Sequence, residues 1–354
     1  MSDSQLSAAT FEALVGPHLP ALELRLHALA ATAGLGLPQR HTVADQQPLA
    51  GAKLLGQMAA HQLRTGGKRL RGGLPMAIVA AAGGPLPAAL TLGAALELVH
   101  NGTLVHDDVQ DNDRLRRGQP TLWTVHGVPQ AINAGDGLLV APLAMLVRDP
   151  AMPPGAGAEL TALLAEAIVE TIRGQVADIA LRDHPHPGLD DLVAVHLAKT
   201  APLFGVCLQG AAVLLGLDAA AQAQAQVCAR ALGLAFQVRD DLLDLGGVKG
   251  RGSAGADLRE GKWTAPVLLA SRDAAAGDVE RLRRDLARAT AGELDDAHVA
   301  EWVQWTHDRG GVTAARVWLQ QLLDEAESAG DGAFGPTAGA VVTALAQRLR
   351  RLDG

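Results

Sequence analysis

Apolar residues recur at helical spacing along nearly the whole chain, and this periodicity limits the possible folds more than any other feature. Alanine and leucine dominate these runs, whereas aromatic residues make up 3% of the 354 residues and tyrosine is absent. Strong helix formers therefore prevail over the residues that favour strands. The pattern predicts an all-α protein with helices over residues 7–33, 49–64, 86–113, 130–148, 159–181, 190–215, 219–245, 264–274, 278–288 and from 296 onward.

The breaks between these runs are short and rich in glycine and proline, which is typical of turns. None of them has the length and composition of an interdomain linker, and the sequence shows no internal repeat of fixed period. We therefore predict a single all-helical domain over residues 1–354. Its functional motifs lie within about residues 60–265, and further helices cover about residues 270–354.

Charge and cysteine usage exclude several classes of protein. The chain has 30 Lys and Arg against 38 Asp and Glu, a net charge of −8, and no basic tail, so no nucleic-acid partner is expected. Cys207 and Cys228 lie among alanines and leucines and are interpreted as small core residues of a reduced protein. The first residues lack the pattern of a secretory signal, and the longest apolar stretch, 201–217, is short and interrupted. We expect a cytoplasmic protein with no membrane span.

The first candidate site is an acidic cluster of the form DDxxD. Asp107 and Asp111 are four residues apart in a helical run, so their carboxylates lie one turn apart on the same face. Like charges at this spacing destabilise a helix by about 0.2–0.5 kcal/mol. A divalent cation offsets such repulsion, and Mg²⁺ prefers carboxylate oxygens, water and substrate phosphates as ligands. For one cluster alone, a solvated acidic patch is an equally good explanation.

A second cluster strengthens the metal hypothesis. Asp240, Asp241 and Asp244 repeat the DDxxD spacing after the apolar run 233–238. Aspartate is a poor helix former, yet both clusters are expected inside helices. Two such clusters favour two facing carboxylate walls that bind several Mg²⁺ ions around a diphosphate.

Basic residues gather in four short motifs, GGKRLR, LRRG, AKT and DLREGK. Their side chains include those of Lys68, Arg71, Arg116, Arg117, Lys199 and Lys262. Arginine binds phosphate oxygens through a bidentate fork, and lysine acts as a point charge. Each motif alone can be a solvated loop or an exposed helix end. Together, in an acidic chain, they indicate two bound anions, one held through metal and the other held directly.

Four polar residues in apolar helical runs are weaker candidates. His100 lies two turns before Asp107 on the same face, where it could donate to a phosphate, although a partly buried helix histidine is the simpler interpretation. For Gln175, Asp178 and Gln237 the alternative to a binding role is hydrogen bonding between helices.

In order along the chain, the motifs are GGKRLR, ELVHNGTLVHDDVQD, LRRGQPT, GQVAD, AKT, FQVRDDLLD and DLREGK. This series resembles the trans-isoprenyl diphosphate synthases, also called polyprenyl synthetases, and seven motifs in the same order are a specific match. The resemblance implies an isoprenoid synthase-type bundle of long helices around a central active-site cavity, assembled as a homodimer. It also implies a Mg²⁺-dependent, head-to-tail (1′-4) condensation of isopentenyl diphosphate with an allylic diphosphate.

The resemblance assigns a role to each motif residue. Mg²⁺ is bound by Asp107, Asp111, Asp240 and Asp244, supported by Asp108 and Asp241. Isopentenyl diphosphate is held by Lys68, Arg71, His100 and Arg117. The allylic diphosphate is held by Arg116, Lys199, Thr200, Gln237 and Lys262. The catalytic set is Asp107, Asp108, Asp111, Asp240, Asp241 and Lys199. Metal ions and cations stabilise the departing diphosphate, and the isopentenyl double bond attacks the allylic cation.

The chain departs from the family pattern at two positions, and the first of them bears on the affinity for the allylic diphosphate. The family usually has a lysine at the position of Gly252, where Lys249 or Arg251 would have to substitute, and its usual proline after GGKRxR is replaced by Gly72. One alternative is a class I terpene cyclase, although such enzymes mix Asn, Ser or Thr with Glu in their second metal motif. A non-catalytic partner subunit of a heteromeric prenyl synthase and a structural helical scaffold are the others, and neither explains two intact acidic clusters.

Product length is predicted from the residues just before the first acidic cluster. Gly102 and Thr103 lie five and four residues before Asp107, where related short-chain synthases have bulky aromatic residues that form a floor. Because both residues are small here, we predict a product longer than farnesyl diphosphate, geranylgeranyl-sized or longer. The alternative for Gly102 is that it only eases helix packing.

Overall fold

The protein is all-α, as predicted, in a computed structural model that describes residues 10–37, 50–182, 184, 187–247 and 254–352. Its helices are α1 Phe11–Val15, α2 Leu19–Ala31, α3 Ala50–Arg64, α4 Leu70–Ala81, α5 Leu86–Gln110, α6 Leu122–His126, α7 Val128–Arg148, α8 Ala156–Leu181, α9 Leu189–Lys199, α10 Ala201–Leu214, α11 Ala219–Leu245, α12 Ala256–Arg259, α13 Ala265–Ser271, α14 Ala276–Thr290, α15 Asp296–Asp308 and α16 Gly311–Arg350. Two-residue strands, β1 Leu115–Arg116 and β2 Gln119–Pro120, pair antiparallel between α5 and α6.

Proline and glycine account for the main differences from the predicted helices. The run 190–215 is two helices that meet at Thr200, because Pro202 has no backbone N–H to donate and crowds the preceding turn. Within α16, Gly335 leaves the helical conformation with φ 71° and ψ 174°. The helix α4 was not predicted, because it contains Gly72, Gly73 and Pro75 and is apolar on nearly every face. The short helices α6 and α12 and the hairpin were not predicted either, since their few residues carry little periodicity.

The chain divides into two compact units. Unit 1 comprises Met1–Ile168, Val206–Gln222 and Pro336–Val341, and unit 2 comprises Val169–Gly205, Ala223–Gly335 and Val342–Gly354. The GGKRLR motif and the first acidic cluster belong to unit 1, whereas AKT, DLREGK and the second acidic cluster belong to unit 2. The single domain over residues 1–354 stays a prediction.

Glycines allow α5 to lie very close to α4 and α7 in unit 1. A Cβ atom added at Gly93 would lie 2.6 Å from the carbonyl oxygen of Gly72 on α4. On the α7 side, a Cβ added at Gly102 would lie 3.0 Å from the carbonyl oxygen of Gly135 and 3.1 Å from Cβ of Leu138. These contacts favour the alternative that Gly102 eases helix packing, because α7 lies against it. The link between Gly102 and product length stays a prediction.

Two helices of unit 1, α5 and α7, are long and apolar enough to cross a membrane by length and composition. The consecutive helices α9 and α10 pass the same test as an interrupted pair. The most apolar window is 78% buried inside the protein for α5 and 50% for α7. The expectation that the chain lacks a membrane-spanning segment is therefore not confirmed.

The two cysteines are free and buried, as the sequence predicts. Burial raises the pKa of both the Cys207 and the Cys228 thiol to about 12. Both thiols are therefore protonated at neutral pH, and neither is a nucleophile.

Candidate active site

The first acidic cluster lies at the C-terminal end of α5, and only its third aspartate falls outside the helix that the sequence predicts to hold all three. Asp107 and Asp108 belong to the last turn, and Asp111 is the capping residue, with φ −90° and ψ 0°. The C-terminus of a helix carries a partial negative charge from its unpaired carbonyl groups. Three carboxylates add to that charge, so this position favours bound cations more strongly than a helix interior would.

One member of the cluster, Asp108, forms a buried ion pair. Its side chain is 2% exposed, and its Oδ1 accepts a 2.7 Å hydrogen bond from Nε of Arg116 on β1. Burial raises the pKa of Asp108, and the Arg116 guanidinium opposes that rise. The pair fixes the hairpin against the end of α5. The assignment of Arg116 to the allylic diphosphate stays a prediction.

Two of the residues assigned to isopentenyl diphosphate are in contact. Nη1 of Arg71, at the start of α4, lies 3.3 Å from Nε2 of His100 in the middle of α5. Burial, together with the charges of Arg71 and Arg117, lowers the pKa of His100 well below its usual 6.5. His100 is thus neutral at pH 7, and its Nε2 accepts a hydrogen bond from Arg71.

The GGKRLR and LRRG motifs meet in unit 1 and hold a strained backbone. Arg69 and Arg117 adopt left-handed conformations, with φ of 46° and 51°, which are rare for residues other than glycine and cluster at functional sites. Nη1 of Arg117 donates to the carbonyl oxygen of Gly66. Gly67 has φ 146°, a backbone conformation that residues with side chains rarely adopt, so this position favours glycine. Lys68, which lies between Gly67 and Arg69 in the GGKRLR motif, is exposed.

A buried ionic network, which the sequence analysis missed, supports this loop. Nε of Arg69 donates to Oε1 of Glu23 at 2.7 Å, and Nη1 of Arg69 lies 3.6 Å from Oε2 of Glu97. Glu97 also accepts a 2.9 Å hydrogen bond from the backbone amide of Gly72. Burial raises the pKa of Glu97, and Arg69 and the Gly72 amide oppose that rise. The sequence signal for this network is Glu97 itself, a charged residue inside the apolar run that precedes His100.

The second acidic cluster lies in the last turns of α11, which ends at Leu245, so all three of its aspartates are inside a helix, as the sequence predicts. Oδ2 of Asp241 accepts a 2.8 Å hydrogen bond from the amide of Ala265, the first residue of α13. Oδ2 of Asp244 accepts from the amide of Asp257 at 3.0 Å. These two carboxylates fix the starts of α13 and α12, while Asp240 is half-buried.

Asp257 is a further acidic residue that the sequence analysis did not assign. It is buried beside Asp244, and its Oδ1 lies 3.7 Å from Nζ of Lys262. Its position as the first acidic residue after the Gly-rich loop was the only sequence signal. The substituting residues in that loop, Lys249 and Arg251, and the position of the missing lysine, Gly252, lie outside the described residues.

The GQVAD, AKT and FQVRDD motifs come together around the end of α9. Nζ of Lys199 lies 2.6 Å from Oδ2 of Asp178, and the Gln237 amide donates to the hydroxyl of Thr200. Burial acts to raise the pKa of Asp178, but Lys199 outweighs it and the pKa is lowered. A Cβ added at Gly174 would lie 2.2 Å from the amide nitrogen of Lys199, which explains the glycine of GQVAD.

The side chains of the first cluster fit Mg²⁺ by their chemistry. Asp107 and Asp111 are half-buried carboxylates on one helix face, and carboxylate oxygens are hard ligands. Among the described residues, no three His, Cys, Asp or Glu side chains are arranged as a metal site. Magnesium commonly takes only one or two carboxylates and completes its shell with water and substrate phosphates. The clusters therefore suit an ion that binds together with a diphosphate.

Comparison with known proteins gives a consistent result. The family model described as Polyprenyl synthetase matches residues 52–302. The chain is 37% identical to geranylgeranyl diphosphate synthase of Mycobacterium tuberculosis, over 65% of this chain and 67% of that protein. It is 34% identical to farnesyl diphosphate synthase of Geobacillus stearothermophilus, over 72% of this chain and 89% of that protein.

A solved structure shares the fold. The polyprenyl synthase of Caulobacter crescentus CB15, complexed with calcium and isoprenyl diphosphate, is similar with a TM-score of 0.74 and 26% identity, over 94% of this chain and 96% of that one. The chain belongs to the polyprenyl synthetase family and is a trans-prenyltransferase, a prenyl diphosphate synthase.

Proposed function

We propose that the protein condenses isopentenyl diphosphate head to tail with an allylic diphosphate in a Mg²⁺-dependent reaction. The observation that carries this proposal is the same in both units. Each places a DDxxD cluster at the C-terminal end of an apolar helix, together with arginine or lysine side chains that contact acidic residues of that unit. Mg²⁺ bound at such carboxylates would neutralise charge on the departing diphosphate.

Isopentenyl diphosphate is assigned to the cations of unit 1. Arg71 and neutral His100 are in contact, and Arg117 is held against the GGKRLR loop. A guanidinium offers a bidentate fork to phosphate oxygens, and His100 adds a ring N–H. With exposed Lys68, these groups supply several donors for one diphosphate without a metal ion.

The allylic diphosphate is assigned to Lys199, Thr200, Gln237 and Lys262 of unit 2. Lys199 and Lys262 supply positive charge, and the bonded pair of Thr200 and Gln237 supplies neutral polar groups. Lys199 is already paired with Asp178, so it is held at a fixed position before substrate binds. Preorganised charge of this kind lowers the barrier to ionisation.

The test is product analysis. Purified protein is given Mg²⁺, isopentenyl diphosphate and, in turn, dimethylallyl, geranyl or farnesyl diphosphate, and the products are identified by mass spectrometry. We expect isopentenyl diphosphate to be consumed and the end product to be geranylgeranyl diphosphate or longer. Conversion of the allylic substrate alone would favour a terpene cyclase, and no turnover would favour a non-catalytic subunit.

Arg117→Ala is expected to raise the Michaelis constant for isopentenyl diphosphate about ten- to hundredfold and to change that for the allylic substrate little. The reason is that a lost charged hydrogen bond is worth roughly 1.5–3 kcal/mol. Steady-state kinetics with each substrate varied in turn measures both constants. Arg173→Ala, which removes an exposed arginine on α8, is the control. A rise in the allylic constant instead would exchange the two assignments.

We also propose that the protein is a homodimer. On α7, Ile132, Val140 and Val147 are 43%, 62% and 57% exposed, and their spacing of eight and seven residues places them on one face. Such an apolar face is favourable when a second copy covers it. Sedimentation should give a dimer for the wild type and for the control Val317→Glu, and a monomer for Val140→Glu/Val147→Glu. A wild-type monomer, or a dimer that survives the double substitution, contradicts the proposal.

A cytoplasmic location is proposed as well. Its support is that Cys207 and Cys228 are free thiols, which persist in a reducing compartment. Cell fractionation tests it, and recovery of the protein with membranes would contradict it.

A further inference from the structure

His196 is a buried polar side chain that none of the assigned roles uses. It lies on α9, one turn before Lys199, and its side chain is 9% exposed. Its Nε2 is buried, and the described part of the chain offers that atom no hydrogen-bond partner. Buried polar atoms without a partner are uncommon in folded proteins and point to a functional role.

Asp241 of the second acidic cluster lies close to this nitrogen. Nε2 of His196 lies 3.7 Å from Oδ2 of Asp241, just beyond hydrogen-bond distance. The same Oδ2 accepts the amide of Ala265 at the start of α13. Asp241 is 9% exposed, so water does not screen the pair. A shift of a few tenths of an ångström would make the contact a hydrogen bond.

This contact links three parts of the candidate site within unit 2. Lys199 and Thr200 follow His196 at the end of α9, Asp240 precedes Asp241 on α11, and α13 begins three residues after Lys262. The imidazole therefore lies against the carboxylate that anchors the start of α13.

We propose that His196 is a positioning residue that holds Asp241, and through it Asp240 and Lys199, in the arrangement that binds the metal-bound allylic diphosphate. The inference rests on the proposed function. It does not make His196 a catalytic residue, because His196 acts through Asp241 and is buried behind it. Its effect should therefore concern Mg²⁺ and the allylic substrate, and not isopentenyl diphosphate.

Three substitutions separate positioning from packing. His196→Leu removes both ring nitrogens and keeps most of the volume, whereas His196→Gln places an amide nitrogen near the position of Nε2 and His196→Asn does not reach it. We expect His196→Leu and His196→Asn to raise the allylic Michaelis constant and the half-saturating Mg²⁺ concentration about tenfold, with the isopentenyl constant within about twofold of wild type. His196→Gln should recover most of the loss.

A second measurement needs no turnover. The rise in melting temperature on adding Mg²⁺ with inorganic diphosphate should be smaller in His196→Leu than in wild type, and His196→Gln should restore it. The control is His298→Leu, which removes a histidine paired with Asp295 at the surface at 2.7 Å. A general effect of losing a His–Asp pair would appear in this variant too.

The outcomes separate the two proposals. An inactive wild type contradicts the proposed function, and the melting-temperature shift still tests His196. An active wild type with unchanged Mg²⁺ and allylic constants in His196→Leu overturns the inference about His196 alone. A third outcome is that His196→Leu has a lower melting temperature and equal rises in the Michaelis constants of both substrates, and that His196→Gln recovers neither. This result would show that His196 only fills space.

Discussion

Asp107→Ala should lower turnover by about a thousandfold and leave the fold intact. Several kcal/mol of transition-state charge stabilisation are expected from metal binding, and each 1.36 kcal/mol corresponds to a tenfold change in rate. Because Asp107 lies in the last turn of α5, its removal lessens both carboxylate repulsion and an unfavourable interaction with the helix dipole. The melting temperature should therefore stay the same or rise slightly. Single-turnover rates and thermal unfolding measure the two effects.

The same reasoning applies to Asp240→Ala on α11. Asp308→Ala, which removes an exposed carboxylate at the end of α15, serves as the matched control and should keep wild-type activity. Asp241→Ala is the contrasting variant, because it also removes the acceptor of the Ala265 amide and should lower the melting temperature. Near-normal turnover of Asp107→Ala or Asp240→Ala would contradict the assignment of these carboxylates to the metal.

The acidic clusters could be predicted from sequence because their signal is local. Spacing of four residues on a helical run places Asp107 and Asp111 on the same side whatever the rest of the chain does. The end of the helix between them could not be predicted, because the chain turns there to form the hairpin whose Arg116 pairs with Asp108. That pairing joins residues eight apart and has no periodic signal.

Residues that act through distant contacts were missed for the same reason. Glu97 is one charged residue in an apolar run, and only the fold shows that its carboxylate meets Arg69 and the Gly72 amide. The contact between His196 and Asp241 is likewise seen only in the fold, where α9 packs near the end of α11. Sequence motifs identify the residues that contact a ligand, whereas the residues that hold them in place are recognised only from tertiary packing.

From the sequence alone, the small size of Gly102 indicates space for a growing chain, yet α7 packs against this position. Gly102→Phe is thus expected to destabilise the protein by about 3 kcal/mol, the upper end for overpacking, because a backbone oxygen of Gly135 cannot move aside easily. Its product distribution would not report on chain length.

Thr103→Phe is the variant that tests chain length. Thr103 is half-buried, and its hydroxyl donates to the carbonyl oxygen of His100 within the same helix, at 2.8 Å. It lies one turn, about 5.4 Å, before Asp107 along α5. If the diphosphate is bound at Asp107 and the tail extends along the helix toward its N-terminus, a phenyl ring at residue 103 blocks the tail. We expect the main product to become shorter by at least one isoprene unit, as measured by mass spectrometry of products from one primer.

The control for this prediction is Thr103→Val, which keeps the shape of the side chain and removes the hydroxyl. It should give the wild-type product, since the lost hydrogen bond is internal to α5. Thr103→Phe should melt close to wild type, in contrast to Gly102→Phe, because residue 103 is only half-buried. A wild-type product from a stable Thr103→Phe protein would show that the tail does not run along this face of α5, and the small residues before Asp107 would then carry no information about product length.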